Sequence, residues 1–224
     1  MIIYLPALPP SLLGRVGVGL NNQQMQIALT HLQSVDPIFK SIIEKWGLPQ
    51  IPSRPQGFET LALLILEQQV SIDSAKATYL KLKKEISVFI PENILQTQNE
   101  IFRSCGVSRQ KTLYIKCLAD AIIEQTIDLE ILPNIPAEIV RQELIKIKGI
   151  GNWTIDVYLM FCLQSPDILP LGDIAVVNTI KELIDIHTKE EMEIHTQKWA
   201  PHRSMATFLL WHHYLQKRNR KVEY

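Results

Sequence analysis

Apolar residues recur at three- and four-residue steps along almost the whole of this 224-residue chain, while alternating β-branched runs bounded by turn signals are nearly absent. A half-buried strand needs the two-residue alternation and a core-facing helix needs the longer step, so the pattern predicts an all-α protein. The helices begin at recognisable places. Asp36-Pro37 supplies a cap and a first-turn proline ahead of Ile38, Phe39, Ile42 and Ile43, and Gly47 with Pro49 closes that segment. Phe58 to Gln69 reads as a mostly buried helix that turns polar at its end, and Ser71 with Asp73 can cap the next, Ser74 to Ile86. Further helices are predicted at Pro91–Thr97, Asn99–Cys105, Ser108–Gln125, Ala137–Ile147, Trp153–Leu163, Ile174–Ile186, Lys189–Trp199 and Arg203–Arg218. Residues 1–22, broken by prolines and glycines, read as an extended arm laid on the body.

Composition narrows the class. Hydrophobic residues make up 46% and charged residues 21%, an ordinary globular mixture that excludes disordered and fibrous chains. No apolar run approaches the ~18 residues of a bilayer span, and Met1 to Leu13 carries three prolines and no early positive charge, which argues against a signal peptide. Three cysteines, Cys105, Cys117 and Cys162, imply reduced thiols and cannot ligate a four-cysteine cluster. The six histidines form no cluster of metal-binding spacing. Lys plus Arg equals Asp plus Glu at 23 each, so a nucleic-acid partner has to be argued from local charge. That charge is uneven: 101–119 and 201–224 are both basic stretches.

The segment Leu144-Ile-Lys-Ile-Lys-Gly-Ile-Gly-Asn-Trp-Thr154 joins two helical patterns through a turn with two glycines. Gly149 and Gly151 permit crowded or left-handed backbone that points successive N–H groups outward at a helix start, an arrangement that favours an anion, with Lys148 and Lys146 adding charge. A G-x-G alone is more often a plain interhelical turn. Likewise Gly172-Asp173 before Ile174 is by itself a good helix N-cap.

The fuller string is more specific. Lys-Gly-Ile-Gly-Asn-Trp-Thr, followed by Leu169-Pro-Leu-Gly-Asp173, resembles the helix-hairpin-helix DNA glycosylases, and within them the DNA-3-methyladenine glycosylase II branch. Ile65-Leu-Glu-Gln-Gln-Val-Ser71 and Pro201-His-Arg-Ser204 through Trp211 resemble two further family segments, so the likeness covers about residues 55–215. It implies two helical lobes around a cleft: 53–165 with the hairpin at about 137–163, and 23–52 plus 166–224. The N-terminal β-sheet lobe of longer members is not expected, because the first 22 residues are too short for one.

The resemblance also implies chemistry. Such an enzyme flips a damaged base out of double-stranded DNA and hydrolyses its N-glycosidic bond through an oxocarbenium-like state, leaving an abasic site. Asp173 matches the catalytic aspartate, acting electrostatically or by handling water. Trp153 and Trp211 match pocket aromatics that stack on a cationic alkylated purine. A further family aromatic falls on Val157, with Tyr158 the neighbouring candidate. Trp153 stands where bifunctional members carry a lysine nucleophile, which implies a monofunctional enzyme without lyase activity. Gly149, Gly151, Lys148, Gln68, Gln69 and Ser71 map to the DNA-binding surface, with Gln69 as the plug that fills the flipped nucleotide's gap. The backbone carbonyls of Ile145, Ile147 and Ile150 map to a structural Na⁺ or K⁺ site. No other cofactor and no iron–sulfur cluster are expected. Arg203 reads as a cleft or structural salt-bridge residue. Glu67 departs from a position that is commonly small: against phosphates it weakens binding, and turned to solvent or the lobe interface it is harmless. The expected substrates are alkylated purines such as 3-methyladenine, with 7-methylguanine as a second candidate. The alternatives are hypoxanthine or another damaged base, a non-catalytic DNA-binding paralogue, and a helical interaction module. A monomer is expected, cytoplasmic in a prokaryote and nuclear in a eukaryote, with no membrane partner.

Overall fold

The computed structural model describes residues 22–51 and 53–220, and every regular element among them is helical. The predicted arm lies outside the described residues, except for Asn22, which opens the first helix. The chain runs through α1 (Asn22–Val35), α2 (Pro37–Trp46), α3 (Phe58–Glu67), α4 (Ile72–Glu85), α5 (Pro91–Gln96), α6 (Asn99–Ser104) and α7 (Arg109–Ile123). It continues through α8 (Ala137–Leu144), α9 (Asn152–Phe161), α10 (Ile174–Ile184), α11 (Lys189–Thr196) and α12 (Arg203–Lys217).

Local chemistry accounts for most of the starts. The Asp36 side chain accepts from Ile38 N ahead of Pro37, Ser71 caps α4 at Ser74 N, and Ser108 caps α7 at Lys111 N. Thr188 and Glu191 form a reciprocal capping box at α11. α3 is shorter than the sequence pattern predicts: it stops at Glu67, Gln68 is extended, and Gln69 adopts a left-handed φ of 58°. α11 gives way to a short 3₁₀ turn at Gln197–Trp199.

The helices enclose two apolar cores. One is built from residues 58–168 with Phe208 added from α12. The other gathers Leu29, Leu32, Phe39 and Ile42 with Val176, Ile180, Met192, Trp199 and the inner face of α12. Ile51 and Trp211 pack against both. In the second core Trp199 is fully buried, edge-on to Phe39 at 5.0 Å, and an aromatic so enclosed is worth about 3–5 kcal/mol against alanine. Its indole N–H, with His195 and Lys198, donates to Asp36 Oδ2 at 2.8–3.0 Å, tying α11 and the 3₁₀ turn back to the start of α2. Burial opposes the Asp36 charge, yet these donors and Ile38 N hold its carboxyl below the usual range. Arg203 closes on Asp167 through its backbone N–H, Nε and Nη2, so it is a structural salt bridge that locks the start of α12 to the preceding loop.

Candidate active site at a helix-hairpin cleft

A cleft of about 1000 Å³ opens between the end of α3, the start of α7, the α8–α9 hairpin and the start of α10. Its lining takes Gln68, Gln69, Lys111, Tyr114, Gly149, Gly151, Trp153 and Asp173 from segments far apart in the chain.

Asp173 sits at its mouth as the N-cap of α10. Oδ1 accepts from Ala175 N at 2.9 Å, Val176 N at 3.1 Å and the Trp211 indole N–H at 3.0 Å. Oδ2 accepts from the Trp153 indole N–H at 2.9 Å. One oxygen therefore caps the helix while the other turns toward the hairpin, so capping and a cleft role coexist on one carboxylate. The helix N-terminus and two indole donors fix its orientation. Both tryptophans thus do something the sequence pattern does not show: besides offering aromatic faces, they hold the carboxylate. Trp153 lines the cleft itself; Trp211 stands behind Asp173, edge-on to Phe161 at 5.8 Å.

Tyr158 does not face the cleft. It is fully buried in the first core, its hydroxyl accepts from Gly57 N at 3.1 Å, and burial pushes its pKa up to about 12. Tyr158 lies five residues beyond Trp153, about 140° around the helix, which turns it away from the wall that carries Trp153. Val157 is also buried, so the side of the pocket assigned to that aromatic carries none from α9.

The two hairpin glycines differ. Gly149 has φ +97°, and a Cβ there would overlap the Cβ and Cγ of Tyr114. Gly151 has an ordinary φ of −106° and open space around the Cβ position, contrary to the crowded backbone expected of it. It starts α9 without a side-chain cap, which leaves that helix's first N–H groups turned to the cleft side. Lys148 is exposed beside it, whereas Lys146 is neutralised by both oxygens of Glu143 at 2.8 Å and adds little positive field. The hairpin is clamped from within, because Arg141 on α8 pairs with Asp156 and bonds Asn152 on α9. Burial raises the Asp156 pKa, and Arg141 offsets part of the rise.

Gln68 turns inward. Its amide donates to Gly149 O at 2.9 Å and Thr154 Oγ1 at 3.0 Å, bracing the end of α3 against the hairpin. Gln69 is left exposed on the cleft with its left-handed backbone, and Ser71 caps α4. Glu67 does not present a free carboxylate: it is buried and paired in bidentate fashion with Arg54 at 2.9 Å. Lys111 donates to Leu66 O at 2.7 Å, and burial lowers its pKa. The sequence carried no signal for Arg54 or Tyr114, and Lys111 showed only as one cation of the basic stretch 101–119; the roles of all three come from long-range packing. Of the hairpin carbonyls, that of Ile147 accepts from Ile150 N at 3.0 Å, and a carbonyl's second lone pair leaves it able to ligate. No group of three or more His, Cys, Asp or Glu among the described residues could hold a metal.

An all-helical frame that sets an anchored aspartate and an indole beside a glycine hairpin defines a helix-hairpin-helix base-excision protein. Residues 62–202 match the HhH-GPD superfamily of base excision DNA repair proteins, and the chain belongs to that family. It is 30% identical over 192 residues to DNA-3-methyladenine glycosylase 1 of Schizosaccharomyces pombe, covering 81% of this chain and 84% of that one. It is 29% identical over 191 residues to the alkylbase DNA glycosidase-like protein mag2 of the same yeast, covering 81% and 90%. Among solved structures, the DNA-3-methyladenine glycosidase of Bacillus halodurans aligns with TM-score 0.76 and 29% identity over 86% of this chain and 91% of that one. The Schizosaccharomyces pombe 3-methyladenine DNA glycosylase, solved in complex with abasic DNA, aligns with TM-score 0.75 and 30% identity over 83% and 95%.

Proposed function

We propose that this protein is a monofunctional DNA glycosylase that releases alkylated purines, 3-methyladenine foremost, from duplex DNA and leaves an abasic site. The observation that carries the reading is the Asp173 carboxylate, held by two backbone and two indole N–H groups at the mouth of a hairpin-lined cleft. As the N-glycosidic bond breaks, positive charge builds on the sugar. A carboxylate already fixed in place stabilises it without reorganising, and Oδ2, bonded among the described residues by Trp153 alone, is free to orient the attacking water. The product side balances with water alone, so the reaction calls for no redox or nucleotide cofactor.

Trp153 offers its face to the extruded base, and a cationic alkylated purine gains a cation–π contribution there that a normal base lacks. An indole nitrogen has no lone pair free to attack the sugar, so no Schiff base forms at this position and strand cleavage does not follow. The N–H groups at the start of α9, with Lys148, grip a backbone phosphate, and Gln69 fills the vacated stack. The carbonyls of Ile145, Ile147 and Ile150 suit a hard monovalent cation, which would supply positive charge between hairpin and phosphate. The enzyme acts as a monomer.

The test is base release from methylated duplex DNA, with chromatographic identification, by the wild type and by Asp173→Asn. Release of 3-methyladenine that is lost in the variant while DNA binding persists supports the reading. Binding without release of any base by the wild type refutes it in favour of a non-catalytic DNA-binding paralogue.

A further inference from the structure

Arg54 lies ahead of α3 and outside the segment matched to the family, yet it connects both sides of the cleft. Its guanidinium and the Glu67 carboxylate form two parallel hydrogen bonds of 2.9 Å, with the side chains 10% and 7% exposed. Its backbone N–H donates to Phe161 O at 3.0 Å, and its guanidinium lies 5.4 Å from the Phe161 ring centre. Phe161 ends α9 and meets Trp211 edge-on, and Trp211 donates to Asp173. On the other side, Glu67 is the last residue of α3, immediately before Gln68, which bonds the hairpin, and Gln69, which faces the cleft.

Burying two opposite charges costs desolvation that an apolar pair of the same volume avoids, so such a pair adds little net stability. What a bidentate guanidinium–carboxylate contact does supply is a fixed distance and plane. We infer that Arg54 is a positioning residue for base excision: through Glu67 it sets the end of α3 that presents Gln69, and through Phe161 and Trp211 it sets the Asp173 carboxylate. The inference rests on the glycosylase reading. Sub-ångström misplacement of a catalytic group is costly, since about 1 Å can remove ~10²-fold in rate.

The experiment compares wild type, Asp173→Asn, the apolar replacement Arg54→Met with Glu67→Leu, and Arg54→Lys. Readouts are single-turnover base release, affinity for undamaged duplex, and thermal melting. The apolar double variant is expected to melt near the wild type and to bind undamaged duplex equally well, while its single-turnover rate falls roughly 10- to 100-fold. Arg54→Lys, a point charge without the planar fork, is expected to recover part of that rate. A double variant that melts and turns over like the wild type overturns the inference. So does Arg54→Lys at the full wild-type rate, an arm that remains decisive if the double variant fails to fold. Absence of base release by the wild type overturns the glycosylase reading and this inference with it.

Discussion

Alanine at the two hairpin glycines separates folding from function. At Gly149 the backbone sits at φ +97°, a region that costs a side-chain-bearing residue about 1–3 kcal/mol. The new Cβ also overlaps Tyr114 at its Cβ, Cγ and Cδ1. Those atoms lie next to the α7 backbone, so the ring cannot swing clear and the hairpin or α7 has to move, at about 1–3 kcal/mol more. Gly149→Ala therefore loses about 2–6 kcal/mol, a large part of the ~5–15 kcal/mol that holds a domain together. At about 2–4 °C per kcal/mol for a chain of this size, the melting temperature falls by roughly 4–24 °C. Gly151→Ala meets nothing within 4 Å at an ordinary φ. Reduced freedom of the unfolded chain makes its folding effect neutral or favourable by about 0.4–1 kcal/mol. Its Cβ instead stands at the uncapped start of α9, where a phosphate is expected to approach, so duplex affinity is expected to fall. Circular-dichroism melts and a fluorescence-anisotropy titration of both variants provide the check. Equal melting temperatures for the two variants, or a Gly149→Ala melt within about 2 °C of the wild type, would refute the reasoning.

Trp153→Phe keeps an aromatic face but removes the only hydrogen bond among the described residues to Asp173 Oδ2; single-turnover base release is expected to fall more than in Trp211→Phe, where Oδ1 retains two backbone donors. Asp36 predicts acid lability. Its folded-state pKa lies below the unfolded value near ~3.9, so its contribution is full above that value and is lost as pH falls through the lower folded one. Asp36→Asn is expected to flatten the stability-versus-pH curve in urea titrations between about pH 5 and 2. Burial pushes the Cys162 thiol up to about 12, so iodoacetamide at neutral pH is expected to label the half-buried Cys117 while Cys162 stays unmodified until the protein unfolds, as peptide mass spectrometry would show.

The parts of this structure legible in the sequence are those whose causes are local. Asp36-Pro37, Ser71, Ser108 and Asp173 mark helix starts because the side-chain oxygen and the amide it caps lie two or three residues apart. The end of α3 is not local. Its apolar run passes through Glu67 into Gln68 with no glycine or proline to end the helix, and Gln68 is held out of it by a bond to a hairpin 81 residues away. The partner of Glu67 was equally hidden, since no pattern within α3 points to Arg54. The string around Asp173 located the carboxylate, but the two indole N–H groups that orient it depend on how α9 and α12 cross. Tyr158 fails for a related reason: one residue along a helix is a different wall, and the core took the tyrosine.

The equality of acidic and basic residues is compatible with a DNA-facing cleft once each nearby cation is followed to its partner. Arg54 closes on Glu67, Arg141 on Asp156, Lys146 on Glu143, and Lys111 on a carbonyl at the end of α3. The three ion pairs hold the frame and project little field outward, while Lys111, bonded to a neutral carbonyl, keeps its charge on the cleft lining. What stays exposed at the hairpin is Lys148 and the uncapped N–H groups of α9, a compact, pre-oriented set of donors rather than a broad basic surface. On the proposed reading, duplex affinity is expected to fall steeply with salt, the slope scaling with the number of phosphates neutralised, whereas salt-insensitive binding would favour a helical interaction module. On the proposed glycosylase reading, discrimination among sites falls to the extruded base: whether it stacks on Trp153 and leaves its sugar beside Asp173 decides the outcome, and because Val157 and Tyr158 are buried, α9 supplies one indole face for that choice.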